Sequence, residues 1–509
     1  MTKTRVKSIV FDIGDVLCSW SPPAGLPIQP KLLKEFRSSP IWYEYNSGRI
    51  GQDECYYRLA SRYGVSSNDI NTAFDMARES QEQNNSVVAI IRQLRAAYPD
   101  ILVYAMSNIS KPDWDILKSK AFDWDIFDRI FTSWETGMCK PELRFYRHVL
   151  TEGKTLPSQT IFVDDKAENV LAAKSVGFYE GIVFDNAENV HGKLLNLLAD
   201  PVERGREWLH AHASKLHSET STGVIVPDNF GQLLTYEVTG DMSLIDVKYF
   251  DRTWNYFKGS PFGTDAKYPD DVDTTAYAFK LLSLKPNVAH SVMDEMVSPE
   301  MKTADGIVYF DPMRDRTDPA VCINVVRMFY EFGRGMDSGL RDTKEWIQDV
   351  LHHKAYASGT RYYQQPDTFL YFFARLLLDN PGSDIYRNNI ELLRERLTER
   401  INTEADAIGL AMRILACSFL GLRNVVDMER LLKMQVTDGS FEIGWLCQYG
   451  KSQIKLGHRG LTTALAVAAV EAVEAVRCST RSSHSRLFSV ARPEKDDDSS
   501  DGDSGFSSH

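Results

Sequence analysis

Over residues 6–190, short apolar runs alternate with amphipathic stretches. Residues 6–11, 101–106, 130–132, 161–163 and 182–184 are rich in Val, Ile and Phe. They lack the polar alternation of a half-exposed strand, which is the pattern of strands buried on both faces of a parallel sheet. Residues 87–97 and 142–151 read as helices between such strands, in the order of βαβ units with right-handed crossovers. The segment between Trp20 and Pro99 is largely polar and helical, and it is expected to form an inserted cap over about residues 20–99.

Beyond residue 200 the period changes. Residues 274–283, 319–332, 343–353, 368–378, 385–397, 405–420 and 462–476 carry helical patterns, joined by short connections with Gly, Pro or Asn-Pro. Such connections suit helical hairpins. An internal echo supports stacked helix pairs closing into an all-α barrel. Met301-Lys-Thr-Ala-Asp305-Gly306, followed by Tyr309 and Phe310, recurs as Met434-Gln-Val-Thr-Asp438-Gly439, followed by Phe441 and Trp445. The expected architecture is therefore multidomain: residues 1–200 α/β and Rossmann-like, residues 201–477 an α/α barrel. Residues 478–509 are Ser-, Asp- and Gly-rich, and they are expected to form a disordered acidic tail.

With 509 residues, 43% hydrophobic and 25% charged, the chain is neither fibrous nor largely unfolded. A net charge of −12 argues against a nucleic-acid partner. Seven scattered cysteines without a CxxC pair suggest isolated thiols in a reducing compartment. The apolar run at the N-terminus ends at Asp12, and residues 461–476 are broken by Glu471 and Glu474. Neither a signal peptide nor stable membrane insertion is expected, and a cytoplasmic location is. Nothing in the sequence sets the oligomeric state.

Asp12 ends the first apolar run. The other runs end near Ser107 and Asn108, Lys140, and the pair Asp164 and Asp165 with Glu168 a turn later. Strand carboxyl ends are where open α/β sheets collect ligands. A carboxylate nucleophile, a hydroxyl, a lysine and an acidic pair at one edge suit phosphoryl transfer with a bound Mg2+. These residues resemble, in order, the four motifs of the haloacid dehalogenase superfamily. The resemblance implies Asp12 as nucleophile, with Ser107, Asn108 and Lys140 on phosphate. It also implies metal binding at Asp12, the Gly14 position, Asp164, Asp165 and Glu168. One departure stands out. Gly14 occupies the position of the usual general acid, and Asp15, one residue on, is expected to point to the other side of a continuing strand.

The second half carries Asp271-Val-Asp273-Thr274-Thr275 at a helix start, after an aromatic stretch containing Tyr249, Phe250, Trp254, Tyr256, Phe257 and Phe262. Two readings fit: helix capping by Asp, or a buried neutral Asp acting as acid on an alkene, with aromatic faces stabilising the cation. The segment resembles the signature of class II terpene cyclases in the variant associated with drimane-type sesquiterpene cyclases. Gln435 to Phe441 is similar to their Gln/Trp repeat, with Phe where Trp is usual. That resemblance implies a β-type cyclase barrel, Asp273 as proton donor, and Asp271, Thr274 and Thr275 as tuning or substrate-binding groups. Joined to a dehalogenase-type unit, it implies a bifunctional synthase. Farnesyl diphosphate would be cyclised to an albicanyl or drimenyl diphosphate, and that cyclised prenyl (di)phosphate hydrolysed to the alcohol. Asp164-Asp165-Lys-Ala-Glu168 matches the Asp-Asp-x-x-Glu pattern linked to dephosphorylation in such members. A cyclase releasing the diphosphate beside a weak phosphatase, or a phosphatase carrying a helical interaction module, remain as alternatives.

Overall fold

In the computed structural model the first apolar run becomes β1 (Ser8–Phe11), the middle strand of a five-stranded sheet. Residues 6–21, 23–263, 268–282, 284–448 and 453–488 are described, and two units part between Asp200 and Pro201. In the first unit β2 (Cys18–Trp20) pairs antiparallel with β3 (Gln81–Gln83). Between these two short strands lie α1 (Pro30–Arg37), α2 (Pro40–Asn46), α3 (Gln52–Tyr63) and α4 (Ser67–Glu79). There follow α5 (Asn85–Ala97), β4 (Leu102–Ser107), α6 (Lys111–Ser119), β5 (Arg129–Thr132), α7 (Ser133–Thr136), α8 (Leu143–Glu152), β6 (Thr160–Asp164), α9 (Ala167–Ser175), β7 (Glu180–Val183) and α10 (Ala187–Leu198).

The sheet order is β5-β4-β1-β6-β7, and every pairing within it is parallel. Its two faces separate by the strand period of two. Ile9, Phe11, Val103, Ala105, Ile161 and Val163 enter one apolar layer, while Val10, Tyr104, Met106 and Phe162 enter the other. The chain leaves β1 to β4 on one side and returns to β6 on the other. This creates a crevice at the carboxyl end of β1.

The cap is smaller than the polar stretch suggests. Helices α1 to α4 share a core of their own, with Leu33, Phe36, Trp42, Tyr45, Leu59 and Phe74. Helix α5 instead sends Val87, Val88, Ile91 and Leu94 into the sheet's layer. The insertion thus closes at β3, and residues 85–97 are a crossover helix. Strand β3 reads Gln-Glu-Gln, so no apolar pattern marks that boundary.

The second unit contains α11 (Pro201–Ala211), β8 (Ser218–Thr220), β9 (Ile225–Val226), α12 (Phe230–Thr239), α13 (Val272–Leu281), α14 (Pro286–Met296), α15 (Pro319–Glu331), α16 (Arg341–His352), α17 (Pro366–Asp379), α18 (Asp384–Arg400), α19 (Ala407–Phe419), α20 (Val425–Leu432), β10 (Trp445–Gln448), β11 (Lys455–Gly457) and α21 (Arg459–Phe488). Helices α12, α13, α15, α17, α19 and α21 each pack on the next, and α21 returns to α12. The ring closes, as the expected α/α barrel requires. Its members α15, α17 and α19 are buried nearly all round, the mark of a helix inside a core. Helices α16, α18 and α20 pack outside the ring with exposed charged faces.

The internal echo is a repeated turn. Thr303 N–H donates to Ile307 O, Gly306 N–H to Thr303 O and Tyr309 N–H to Met301 O. The same three bonds recur from Val436 to Ser440, Gly439 to Val436 and Glu442 to Met434. The first turn lies between α14 and α15 and the second between α20 and α21, and each uses a left-handed glycine, Gly306 (φ 82°) and Gly439 (φ 96°). The expected tail beginning at residue 478 needs one correction: α21 runs on to Phe488, since extending a formed helix costs far less than nucleating one. Residues 489–509 lie outside the described residues. Among the described residues no helix is long and apolar enough to cross a membrane.

Candidate active sites

Asp12 follows β1 directly, and its N–H donates to Val163 O (2.8 Å), extending the ladder by one residue. The register Phe11↔Val163 sets Asp12 beside Asp164, the last residue of β6. Lys140 Nζ lies 2.7 Å from Asp12 Oδ1 and 2.6 Å from Asp164 Oδ2, all three side chains being buried. Asn108 fixes that lysine from its backbone: its Nδ2 donates to Lys140 O and its Oδ1 accepts from Lys140 N–H, both at 2.8 Å. Ser107 closes β4 and is buried beside the same crevice. Burial pushes the Asp12 carboxyl up to about 7 against the pull of Lys140, and it also raises Asp165.

Asp12, Asp164 and Asp165 offer carboxylate oxygens within 4.8 Å of one another. One ammonium set against three carboxylates leaves a deficit of positive charge. Asp165 Oδ1 is buried without a hydrogen-bond partner among the described residues. An all-oxygen cluster of this kind fits a hard divalent cation. Glu168 does not join it. That side chain is exposed on the first turn of α9, and its neighbour Asn169 instead donates Nδ2–H to Asp164 Oδ1 at 2.9 Å. Gly14 lines the crevice, and a Cβ built on it would meet nothing within 4 Å. The expected strand continuation does not occur. After Asp12 the chain turns, with Leu17 and Cys18 N–H donating to Ile13 O, and Asp15 is exposed in a left-handed conformation (φ 59°).

In the second unit Asp271 is the N-cap of α13. Its Oδ1 accepts from Thr274 N–H (2.6 Å) and its Oδ2 from the Thr274 hydroxyl (3.0 Å). Thr275 Oγ1 accepts from Trp254 N–H at 2.9 Å. The capping reading therefore describes Asp271, and both threonine hydroxyls turn away from Asp273. Asp273 is buried inside the ring with two partners that sequence reasoning did not find. Asn324 of α15 donates Nδ2–H to Oδ1 (2.8 Å), and the Tyr363 hydroxyl donates to Oδ2. A lone Asn inside the apolar run of α15 was a readable signal; Tyr363, in a loop, gave none. Burial drives Asp273 up to about 7 against these two hydrogen bonds, and drives Asp271 well above the usual carboxylate range. Phe230 and Phe372 flank Tyr363, with ring centroids at 6.3 and 5.5 Å. Trp254 and Phe257 are core residues, and Phe262 packs at the edge of an apolar cluster.

Residues 202–332 match a family described as the sesquiterpene cyclase astC-like C-terminal domain. The chain is similar to "Drimenol cyclase drtB" of Aspergillus calidoustus, 42% identical over 91% of this chain and 88% of that protein. It is also similar to "Sesquiterpene phosphatase astK" of Aspergillus oryzae, 37% identical over 34% of this chain and 88% of that protein. A solved haloacid dehalogenase family enzyme from Bacteroides thetaiotaomicron, complexed with magnesium and inorganic phosphate, is 20% identical. It covers 35% of this chain and 94% of its own at a TM-score of 0.29, a likeness too slight to decide anything about this chain.

Proposed function

The chain belongs to the family of drimenol cyclase drtB, and from that premise we propose a bifunctional sesquiterpene synthase. It cyclises farnesyl diphosphate by protonation to a drimane-type diphosphate, albicanyl or drimenyl, and then dephosphorylates that product to the alcohol. The observation that carries the reading is Asp273, a carboxyl buried in an apolar ring whose pKa burial raises to about 7, so that it keeps a proton well above the pH at which an exposed carboxyl has lost it. A carboxyl that keeps its proton in such surroundings, away from water that would compete for it, has a proton to give to a base as weak as an alkene.

In the proposed mechanism, Asp273 gives its proton to the terminal double bond. The hydrogen bonds from Asn324 and Tyr363 receive the carboxylate charge that develops. Two ring closures follow, and loss of a proton gives the alkene with the diphosphate retained. Asp271 holds the start of α13, and so the position of Asp273.

In the first unit, Asp12 attacks phosphorus, and Lys140 compensates charge between Asp12 and Asp164. Ser107 lines the phosphate crevice, while Asn108 acts by holding Lys140. Mg2+ held by Asp12, Asp164 and Asp165 would neutralise phosphate oxygens and orient the phosphoryl group.

The test is incubation of the full chain with farnesyl diphosphate and Mg2+, with extracts analysed before and after added phosphatase. Bicyclic alcohol without added phosphatase is expected. Recovery of only acyclic products would sink the cyclase half, and bicyclic product appearing only after added phosphatase would sink the phosphatase half.

A further inference from the structure

The phosphate crevice opens into a cavity of about 120 Å³ between sheet and cap. Gly14, two residues beyond Asp12, lines it together with Ser107 and Asn108, the residue that holds the Lys140 backbone. Trp42 and Phe74, stacked at 4.5 Å, line it from the cap, together with Arg37 at the end of α1. Two arginines line this cavity, and their circumstances differ. Arg78 is fully occupied by Asp113 (2.7 Å), Asp75 (2.6 Å) and the Tyr56 hydroxyl (2.8 Å). Arg37 forms no ion pair or side-chain hydrogen bond among the described residues. Lys140 is likewise committed to two carboxylates. Among the described residues that line the cavity, Arg37 is thus the cation not paired with a carboxylate.

Resting on the phosphatase reading above, we propose that Arg37 binds the second phosphate of a prenyl diphosphate and stabilises it as leaving group. A carboxylate oxygen of Asp12 forms a bond to the terminal phosphorus while the bridging P–O bond breaks. The electron pair goes to the bridging oxygen, which departs in the prenyl monophosphate with one added negative charge. Water then attacks the phosphorus of phospho-Asp12, the aspartyl O–P bond breaks, and inorganic phosphate leaves with the oxygen and protons of that water. A phosphate leaving group needs a countercharge more than it needs a proton. Arg37 supplies the first, so the missing acid at Gly14 costs this step little. The apolar walls suit the hydrocarbon beyond that phosphate. The site therefore hydrolyses diphosphates faster than monophosphates, whose alkoxide leaves more slowly without that proton, and release of the second phosphate is the slower of the two steps toward the alcohol.

The experiment compares phosphate release from a saturated fifteen-carbon alkyl diphosphate and from the matching monophosphate, neither of which has a double bond to protonate. The full chain is used with Mg2+. In Arg37→Gln the ratio of kcat/KM for diphosphate over monophosphate is expected to fall about tenfold, the low end for a lost charge-assisted hydrogen bond because Arg37 is exposed. Arg37→Lys should retain most of the ratio. An unchanged ratio, or an equal loss on both substrates, overturns the assignment of Arg37. Failure of the wild-type chain to hydrolyse either substrate instead overturns the phosphatase reading, and this inference with it.

Discussion

The Tyr363 hydroxyl donates to Asp273 Oδ2 across 90 residues of sequence, joining the loop before α17 to the first turn of α13. A hydrogen bond to the carboxylate strengthens the acid that gives rise to it. Tyr363→Phe keeps the ring between Phe230 and Phe372 and removes only this donor. Cyclisation should slow by about tenfold or more, in line with removal of one donor from a developing charge. Phosphate release by the other unit should be unaffected. Bicyclic product and free phosphate, measured from the same incubations, check both halves.

The raised pKa of Asp273 gives a pH dependence with a definite sign. Burial lifts it from 3.8 to about 7, with Asp318 adding to the rise and Tyr363 and Asn324 opposing it. Cyclisation turnover should fall as pH rises through about 7, because the acid must be protonated. The native state holds this proton where the unfolded chain has lost it. Its contribution to stability is therefore complete below pH 3.8 and is lost as pH rises to about 7. Asp273→Asn should abolish cyclisation and remove this component of the pH profile. Thermal unfolding of both proteins across pH 4 to 7 tests it: parallel curves would show that Asp273 carries no such proton.

Asn108 touches Lys140 through the backbone alone, with one bond in each direction. Asn108→Ala should therefore impair phosphoryl transfer through a displaced ammonium rather than through loss of a phosphate contact. A drop of roughly tenfold to a hundredfold in kcat is expected, the scale of one misplaced catalytic charge. Substrate KM should change much less, and steady-state kinetics separate the two.

Gly14→Asp is a test of the vacant acid position. The space around a Cβ there is open, so the variant should unfold within a degree or two of the wild type, about the effect of a neutral substitution. An added carboxyl should raise hydrolysis of a prenyl monophosphate, whose alkoxide needs a proton, and lower that of a diphosphate through like-charge repulsion. Equal changes on both substrates would mean that the position does not face the leaving group.

Gly439 behaves oppositely. Its φ is 96°, and a Cβ would lie 2.6 Å from the Arg204 carbonyl oxygen, a backbone atom with no rotamer to yield. Gly439→Ala should cost more than about 1 kcal/mol of stability, with a correspondingly lower midpoint in thermal unfolding.

The strands of the sheet were legible because burial on both faces leaves an apolar run with little else in it. The repeated turn was legible because six residues must do the same backbone work twice. The partners of Asp273 were not, since Asn324 and Tyr363 lie 51 and 90 residues away and meet it only once the ring closes. Adjacency in sequence pointed to Thr274 and Thr275, but the first turn of a helix sends their hydroxyls to Asp271 and Trp254. The same helical rotation separates exposed Glu168 from buried Asn169. A motif spacing names a turn of helix; it does not say which side of that turn meets the ligand.

The contact of α21 with α12 makes the last described helix the closing wall of the barrel. During synthesis, every strand of the first unit's sheet emerges within the first 200 residues and can assemble while translation continues. The barrel must wait for residues 459 onward, with five apolar inner helices already made and their seam uncovered. Closure over so long a stretch of chain is slow. Early termination anywhere before α21 should therefore yield a folded sheet unit attached to an aggregating helical remnant, making the order of the two units a matter of nascent-chain survival as well as chemistry.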